Sequence, residues 1–430
     1  MGNMNLVLEK TKLNKFISYN ENNFYKIPQL YKLTHDQKEA IQVVSKVLPF
    51  KVNQYVLDEL IDWDNVADDS IFNMVFPQRD MLSVEDYNKL KLILKKNDAC
   101  ELQKCIFDIR SKLNPHPGDQ MTLNVPMWQG ERLEGVQHKY KQTLLYFPAQ
   151  AQTCHSYCTF CFRWPQFIGD KSLKFSSKHI NRLIEYLKCH KEITDVLITG
   201  GDPLISSTNH LRSYIEPLLD KNLSHITHIR IGTKVLSYWP HRFVTDKDAD
   251  ELLNLFMYVK KKGKHIAVMA HYNHFREMQT EITKIAIHRL QNAHVIIRTQ
   301  APVLKHINDT STTWVELWKQ QVKLGMIPYY MFIERDTGAK DYFSVPLIRA
   351  LEIYTEAYKM VSGLCRTARG PVMSTSEGKV IVEDIVQIHH QKYFALKFIQ
   401  ARDENKVGKL FFAKYNPTAS WINDLEMTHI

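Results

Sequence analysis

Three cysteines crowd into eight residues, Cys154-His-Ser-Tyr-Cys158-Thr-Phe-Cys161, and Arg163 follows two places on. Thiolates are soft ligands that suit iron–sulfur clusters and zinc. Three on one short loop can wrap a face of an iron–sulfur cube and ligate three irons, leaving the fourth iron open to a substrate or cosubstrate. Zinc is the competing reading. Structural zinc mostly takes four ligands in two separated pairs; the chain has no second Cys-x-x-Cys, although His155 or distant histidines could complete a set. Chance clustering of buried cysteines is the third reading. The seven cysteines are an odd number, which does not suit a secreted disulfide framework. Cys100, Cys105, Cys189 and Cys365 lack ligand spacing and read as buried thiols.

A second motif is Leu197-Ile-Thr-Gly200-Gly201-Asp202-Pro203. Paired glycines at the end of an apolar run let the backbone approach a ligand closely, and taken alone they are equally a plain strand-to-loop turn. His271 and His274 end another apolar run, and Arg298 and Gln300 end a further one. Side chains at the C-terminal ends of strands face the place where α/β folds keep their sites.

The elements that must position these residues change character along the chain. Residues 34 to about 115 carry apolar residues at helical spacing, with Ser83 and Asp86 resembling a capping box. Asn114-Pro-His-Pro-Gly-Asp-Gln120 is a break. From 143 onward short apolar runs alternate with helical patterns; the expected strands are 143–149, 195–200, 228–233, 265–270, 294–300 and 327–333. Strands alternating with helices imply a parallel sheet. A barrel and a doubly wound sheet both fit the spacing, although no Gly-rich dinucleotide turn is present. A last helix runs from near Pro346 to Gly363, and the chain then turns β-like at 379–386 and 409–415. The expected division is an N-terminal helical region over 1–136, an α/β unit over 137–362 and a small C-terminal β-rich extension over 363–430.

The composition is ordinary for a globular protein, with 44% hydrophobic and 24% charged residues. No apolar run approaches the ~20 residues of a membrane span, and the first residues show no apolar signal core. The expectation is a cytoplasmic protein without a membrane partner. The net charge of +10 comes from scattered residues. The densest run, Lys260-Lys-Lys-Gly-Lys264, reads as the solvated end of a helix stopped by Gly263. Nucleic-acid binding is not expected.

With Phe160 just before its last cysteine, the Cys-x3-Cys-x2-Cys loop resembles the signature of the radical S-adenosylmethionine superfamily, and Gly200-Gly201-Asp202 resembles that family's Gly-Gly-Glu-type motif. The resemblance spans about residues 115–380. It is closest to lysine 2,3-aminomutase and its relatives, through Cys154 to Gly169, Ile198 to Leu204, Ile229 to Phe243, His271 to Thr283, Ala301 to Asp309, the Pro328–Phe332 run and a late Pro371-Val-Met. It implies a partial (β/α)6 TIM-like barrel. It also implies a [4Fe–4S] cluster on Cys154, Cys158 and Cys161, S-adenosylmethionine on the open iron, and hydrogen abstraction by a 5′-deoxyadenosyl radical. Phe160, Gly200, Gly201 and Asp202 would meet the cosubstrate. His271, Arg298 and Gln300 would line the cavity, and Arg163 would grip a substrate carboxylate. The implied partners are a small-molecule substrate, a reductant such as flavodoxin or ferredoxin, and a second copy in a homo-oligomer.

Those mutases also use pyridoxal phosphate, held by a lysine in a Gly-rich run before Pro-Val. Here that run is shorter and Arg369 takes the lysine's place. A guanidinium is permanently protonated and cannot form the imine. Lys379 and Lys340 are the remaining candidates. The family's acid for the substrate side-chain ammonium falls among Glu334, Arg335 and Asp336, with the alignment favouring Arg335. The expected protein is a radical enzyme acting on a carboxylate-bearing small molecule, an amino acid, without pyridoxal phosphate. The alternatives are an aminomutase with a relocated lysine and a non-catalytic metal-binding protein.

Overall fold

A computed structural model describes residues 15–96, 98–116 and 121–428. The N-terminal residues and most of the 114–120 break, both used above, lie outside the described residues. Twelve strands form one mixed sheet. In chain order they are β1 (Val136–Tyr140), β2 (Thr143–Tyr146), β3 (Asp195–Ile198), β4 (His228–Thr233), β5 (His265–His271), β6 (Ile296–Val303), β7 (Ile327–Ile333), β8 (Arg369–Ser374), β9 (Gly378–Ile388), β10 (Gln391–Ala401), β11 (Leu410–Lys414) and β12 (Met427–Thr428). Each pairs with its neighbour in sequence. The six expected strands are β2 to β7, all parallel. Arg369–Ser374 adds a seventh parallel strand, and the sheet then continues antiparallel to its far edge. The sheet therefore crosses the expected boundary at 362/363 without a break.

The sheet does not close: β1 and β12 are its two edges. Side chains tie the β1 end of the sheet to the β8–β9 turn and to the segment after β10. Lys139 on β1 donates to the carbonyl of Thr375, and Lys141 and Gln142 bind the two carboxylate oxygens of Glu404 at 3.0 and 2.9 Å.

The helices that connect the parallel strands form because apolar residues recur on one face and a polar side chain caps the first turn. Thr280, for example, accepts from the Thr283 amide at the start of the helix Glu281–Asn292, and Thr310 from the Thr313 amide at the start of Ser311–Lys323. Along β6 burial alternates residue by residue. Ile297, Thr299, Ala301 and Val303 are buried, whereas Ile296, Arg298, Gln300 and Pro302 are only partly covered. That period of two sends the polar pair to the face opposite the helices. Trp314 and Trp318 are buried in the main core, as helix packing requires.

The N-terminal region is chiefly helical, with α1 (His35–Val44), α2 (Val84–Lys96) and α3 (Ala99–Leu113). A two-stranded pair joins Ser18–Asn20 to Lys51–Asn53. Its core is shared with Phe160, Trp164, Tyr238, Trp239, Leu304, Ile307 and Phe343. All seven follow the C-terminal ends of parallel strands. The N-terminal region thus covers the end of the sheet where the cysteine loop lies.

Two expectations need correction. Cys105 and Cys365 are buried, but Cys100 and Cys189 are exposed, since they sit at the first and last turns of solvent-facing helices. Gly263 does end its helix at φ +78°, yet Lys264 is buried and donates to the carbonyls of Leu223 and Ile226. Those two carbonyls replace water as partners for its ammonium group. No helix among the described residues is long and apolar enough to cross a membrane.

Candidate active site

The cysteine loop leaves β2 after Tyr146 and is gripped from two sides. On one side stands the turn after β3. The Gly201 amide donates to the Ala151 carbonyl at 2.7 Å, and the Asp202 amide to the Thr153 carbonyl at 2.9 Å. A Cβ at Gly200 would lie 2.8 Å from the Ala151 carbonyl oxygen, and one at Gly201 would lie 2.6 Å from that of Thr153. The backbone that the paired glycines admit is therefore that of the cysteine loop itself. Gly201→Ala is expected to cost about 1–3 kcal/mol by overpacking. Thermal and denaturant melts check this; an unchanged melt would count against the contact.

Asp202 completes this side. Its carboxylate accepts from Thr233 Oγ1 at 2.7 and 2.8 Å, from the Lys234 amide at 2.8 Å and from the Leu204 amide at 3.0 Å. Burial pushes its pKa up to about 6 against the pull of those donors. Asp202 is thus a tie between the ends of β3 and β4.

The N-terminal region grips the other side. Asn53, fully buried, donates through Nδ2 to Ser156 Oγ at 3.0 Å and to the Tyr238 carbonyl at 2.8 Å. The Tyr157 amide donates to the Lys51 carbonyl at 2.8 Å, and Thr159 donates to the carbonyls of Asn73 and Met74. Nothing in the sequence singles out Lys51 or Asn53, which lie about a hundred residues upstream.

The loop brings the three thiols into one electrostatic neighbourhood. Burial raises all three: Cys154 well above the usual thiol range, with Asp202 and the other two cysteines adding to it, and Cys161 to about 12. Cys158 Sγ lies 3.6 Å from Tyr238 Oη. Cations stand against each thiol: Lys51 by Cys154, Lys234 by Cys158, and Arg163 by Cys161. None of the three is in a disulfide. Among the described residues, no three His, Cys, Asp or Glu side chains are gathered tightly enough to hold a single metal ion. His155 does not join the thiols; its ring stacks on Trp239 and meets Phe16 edge-on, and burial holds it neutral with a pKa near 3. The donor set fits a cube, which spreads three thiolates over three corners.

Arg163 is the other exceptional group. Its guanidinium lies 4.4 Å from the centre of the Phe147 ring, and its buried Nε and Nη2 have no partner. Burial lowers its pKa only to about 10, so it stays charged. A buried cation with two free donors is costly unless an anion arrives.

Two further ties frame the mouth. Lys234 donates to Glu277, to Asn273 Oδ1 at 3.0 Å and to the His271 carbonyl at 3.4 Å. The fully buried Glu277 also accepts the amides of Asn273 and His274 and the Ser237 hydroxyl. His274, a candidate cavity residue, instead caps the next turn through the Arg276 amide. His271 and Gln300 do meet, Gln300 Nε2 lying 3.0 Å from His271 Nε2, and burial keeps His271 neutral at about 3. Phe160 is buried edge-on to Phe343.

Arg298 lies elsewhere, over Tyr329 at 5.1 Å, and shares that ring with Arg369 at 4.7 Å. Arg369 also covers Tyr330 at 4.4 Å. Lys379 Nζ donates to Gln400 Oε1 at 2.6 Å beside Tyr140 and Tyr330. Burial first, then Arg230, Lys139 and Arg369, brings its pKa down to about 7; Lys139 falls to about 7 through burial and then Arg335 and Arg402. A folded-state amine depressed this far binds fewer protons than the unfolded chain between pH 7 and 10, so stability rises with pH across that window. Lys379→Met is expected to flatten the rise in thermal midpoint between pH 7 and pH 9. A native profile without the rise would refute the burial of these amines.

Beyond β7, Glu334 is buried and desolvation raises its carboxyl well above the usual carboxylate range, Arg335 lies 5.2 Å over Phe162, and Asp336 meets His116 at 3.2 Å. Lys340 is exposed on a short helix, Lys340–Phe343.

No family model matches the chain. It is 30% identical over 393 residues to a protein named putative L-lysine 2,3-aminomutase from Aquifex aeolicus, covering 91% of each chain. The chain belongs to the lysine 2,3-aminomutase-like family of radical S-adenosylmethionine enzymes. Shorter matches within this family include L-lysine 2,3-aminomutase of Acetoanaerobium sticklandii, 29% identical over 54% of this chain and 52% of that one. Glutamate 2,3-aminomutase of Clostridioides difficile is 30% identical over 49% and 47%. A solved radical S-adenosylmethionine methyltransferase, TsrM from Kitasatospora setae, aligns at a TM-score of 0.30 and 13% identity over 45% of this chain and 36% of that chain, a likeness that carries no argument.

Proposed function

We propose that this aminomutase-like enzyme holds a [4Fe–4S] cluster on Cys154, Cys158 and Cys161 and acts on a carboxylate-bearing amino acid without pyridoxal phosphate, on a partial (β/α)6 barrel. When bound, the cluster and S-adenosylmethionine supply a 5′-deoxyadenosyl radical that abstracts a hydrogen atom. One observation carries the reading. Arg163 keeps two buried, unpartnered nitrogens beside three free thiols. Its fork suits a carboxylate, which bidentate pairing binds well.

The other residues do simpler work. The glycine turn and Asn53 hold the loop in shape, and the N-terminal region keeps water from the strand ends. His271, neutral and fixed by Gln300, can accept or donate a hydrogen bond without bringing charge. At the family's coenzyme-lysine position, Arg369 lies over Tyr329 and Tyr330, and its guanidinium cannot form an imine.

The test is anaerobic reconstitution with iron and sulfide. Dithionite assays for 5′-deoxyadenosine follow, along with borohydride treatment in added pyridoxal phosphate. About four irons per chain, 5′-deoxyadenosine formation and no trapped coenzyme are expected. A borohydride-stable adduct on Lys379 would restore the aminomutase with a moved lysine. Zinc retained in place of iron would overturn the proposal.

A further inference from the structure

We infer that Lys51 is a positioning residue that raises the reduction potential of the proposed cluster; the inference rests on that reading of the cysteine loop. Lys51 belongs to the short strand Lys51–Asn53, whose backbone takes the Tyr157 amide. Its side chain turns back along the loop. Nζ donates to the Cys154 carbonyl at 2.8 Å and stands 5.8 Å from the centre of the Tyr157 ring. Among the described residues its ammonium group pairs with no carboxylate.

The three cations around the loop differ in how far they are neutralised. Lys234 is paired with Glu277. Arg163, on the proposed function, receives the substrate carboxylate. Lys51 keeps its charge uncompensated. A fixed positive charge beside a cluster favours the form that carries one more electron and so raises the potential. The N-terminal region thereby contributes charge to the site as well as cover.

The experiment is a redox titration of the reconstituted full chain followed by electron paramagnetic resonance, comparing native protein with Lys51→Gln and Lys51→Arg. Gln keeps a donor for the Cys154 carbonyl and removes the charge; Arg keeps both. At a fixed potential the oxidised-to-reduced ratio is expected to rise about tenfold in Lys51→Gln, ~59 mV for one electron, and to stay within about twofold of native in Lys51→Arg. Should Lys51→Gln not load iron, Lys51→Met carries the same comparison. Native-like potentials in the charge-removing variants at equal iron content overturn the inference, as does an equal shift in Lys51→Arg. Iron and sulfide are counted before titration, so a native chain without a cube overturns the proposed function itself and is told apart from a failure of Lys51.

Discussion

Arg163→Ala is expected to cut substrate-dependent turnover by about 30- to 5,000-fold while leaving iron loading and substrate-independent cleavage of S-adenosylmethionine near native. The estimate follows from removing one partner of a buried, hydrogen-bonded charge pair, worth about 2–5 kcal/mol, at 1.36 kcal/mol per tenfold in rate. The side chain is well placed for that effect. It is half-buried, two of its nitrogens are buried without a partner, and its guanidinium lies over the face of Phe147. Arg163→Lys keeps the charge but loses the planar fork, and is expected to fall between native and Ala. The measurement is 5′-deoxyadenosine formed with and without a panel of amino acids. Equal losses in both conditions, or loss of iron along with turnover, would show that Arg163 supports the loop and not the substrate.

The second large effect concerns stability. Glu277→Gln should destabilise the fold by about 3–5 kcal/mol, the usual cost of removing one partner of a buried ion pair. Glu277 is fully buried and Lys234 nearly so. The carboxylate receives four sets of donors that join the turns after β4 and β5. An amide oxygen cannot take them all, and its NH2 group would face either the Lys234 ammonium or the two backbone amides. Denaturant unfolding at constant slope measures the loss. The double variant Lys234→Met/Glu277→Leu should recover part of it, because no charge is then left buried alone. A loss below about 1 kcal/mol in Glu277→Gln would mean that the pair is far more hydrated than its burial indicates.

These two sites also show what the sequence discloses. The parallel strands β2 to β7 are legible because each is a short run of apolar and β-branched residues bounded by turns. The cysteine loop is legible because its chemistry is local. β8 escapes because Gly370 and Pro371 interrupt it and read as a loop. β10 escapes because Lys392, Lys397 and Gln400 dilute its apolar pattern. Lys51 and Asn53 are invisible for a different reason. Each is an ordinary polar residue in a segment of helical character, and its role exists only through a contact made across 103 positions of sequence. Arg163 is visible as a candidate, but its lack of a partner is a property of the packed fold alone. The two glycines are visible as well, and to the ligand approach expected of them the structure adds a close approach of the cysteine loop.

The double grip on that loop has a consequence for biosynthesis. A ribosome makes Lys51, Asn53 and Met74 before the cysteines, and Gly201, Asp202 and Tyr238 after them. When Cys161 leaves the exit tunnel, half of the clamp is still unmade, so the thiols cannot yet occupy the arrangement described above. The hold on the loop is complete only after residue 238 has been translated and the β3 and β4 turns have formed. In the interval the nascent chain presents three free sulfhydryls to whatever oxidant is at hand. The length of that window is set by translation speed over some eighty codons, a kinetic exposure written into the order of the gene.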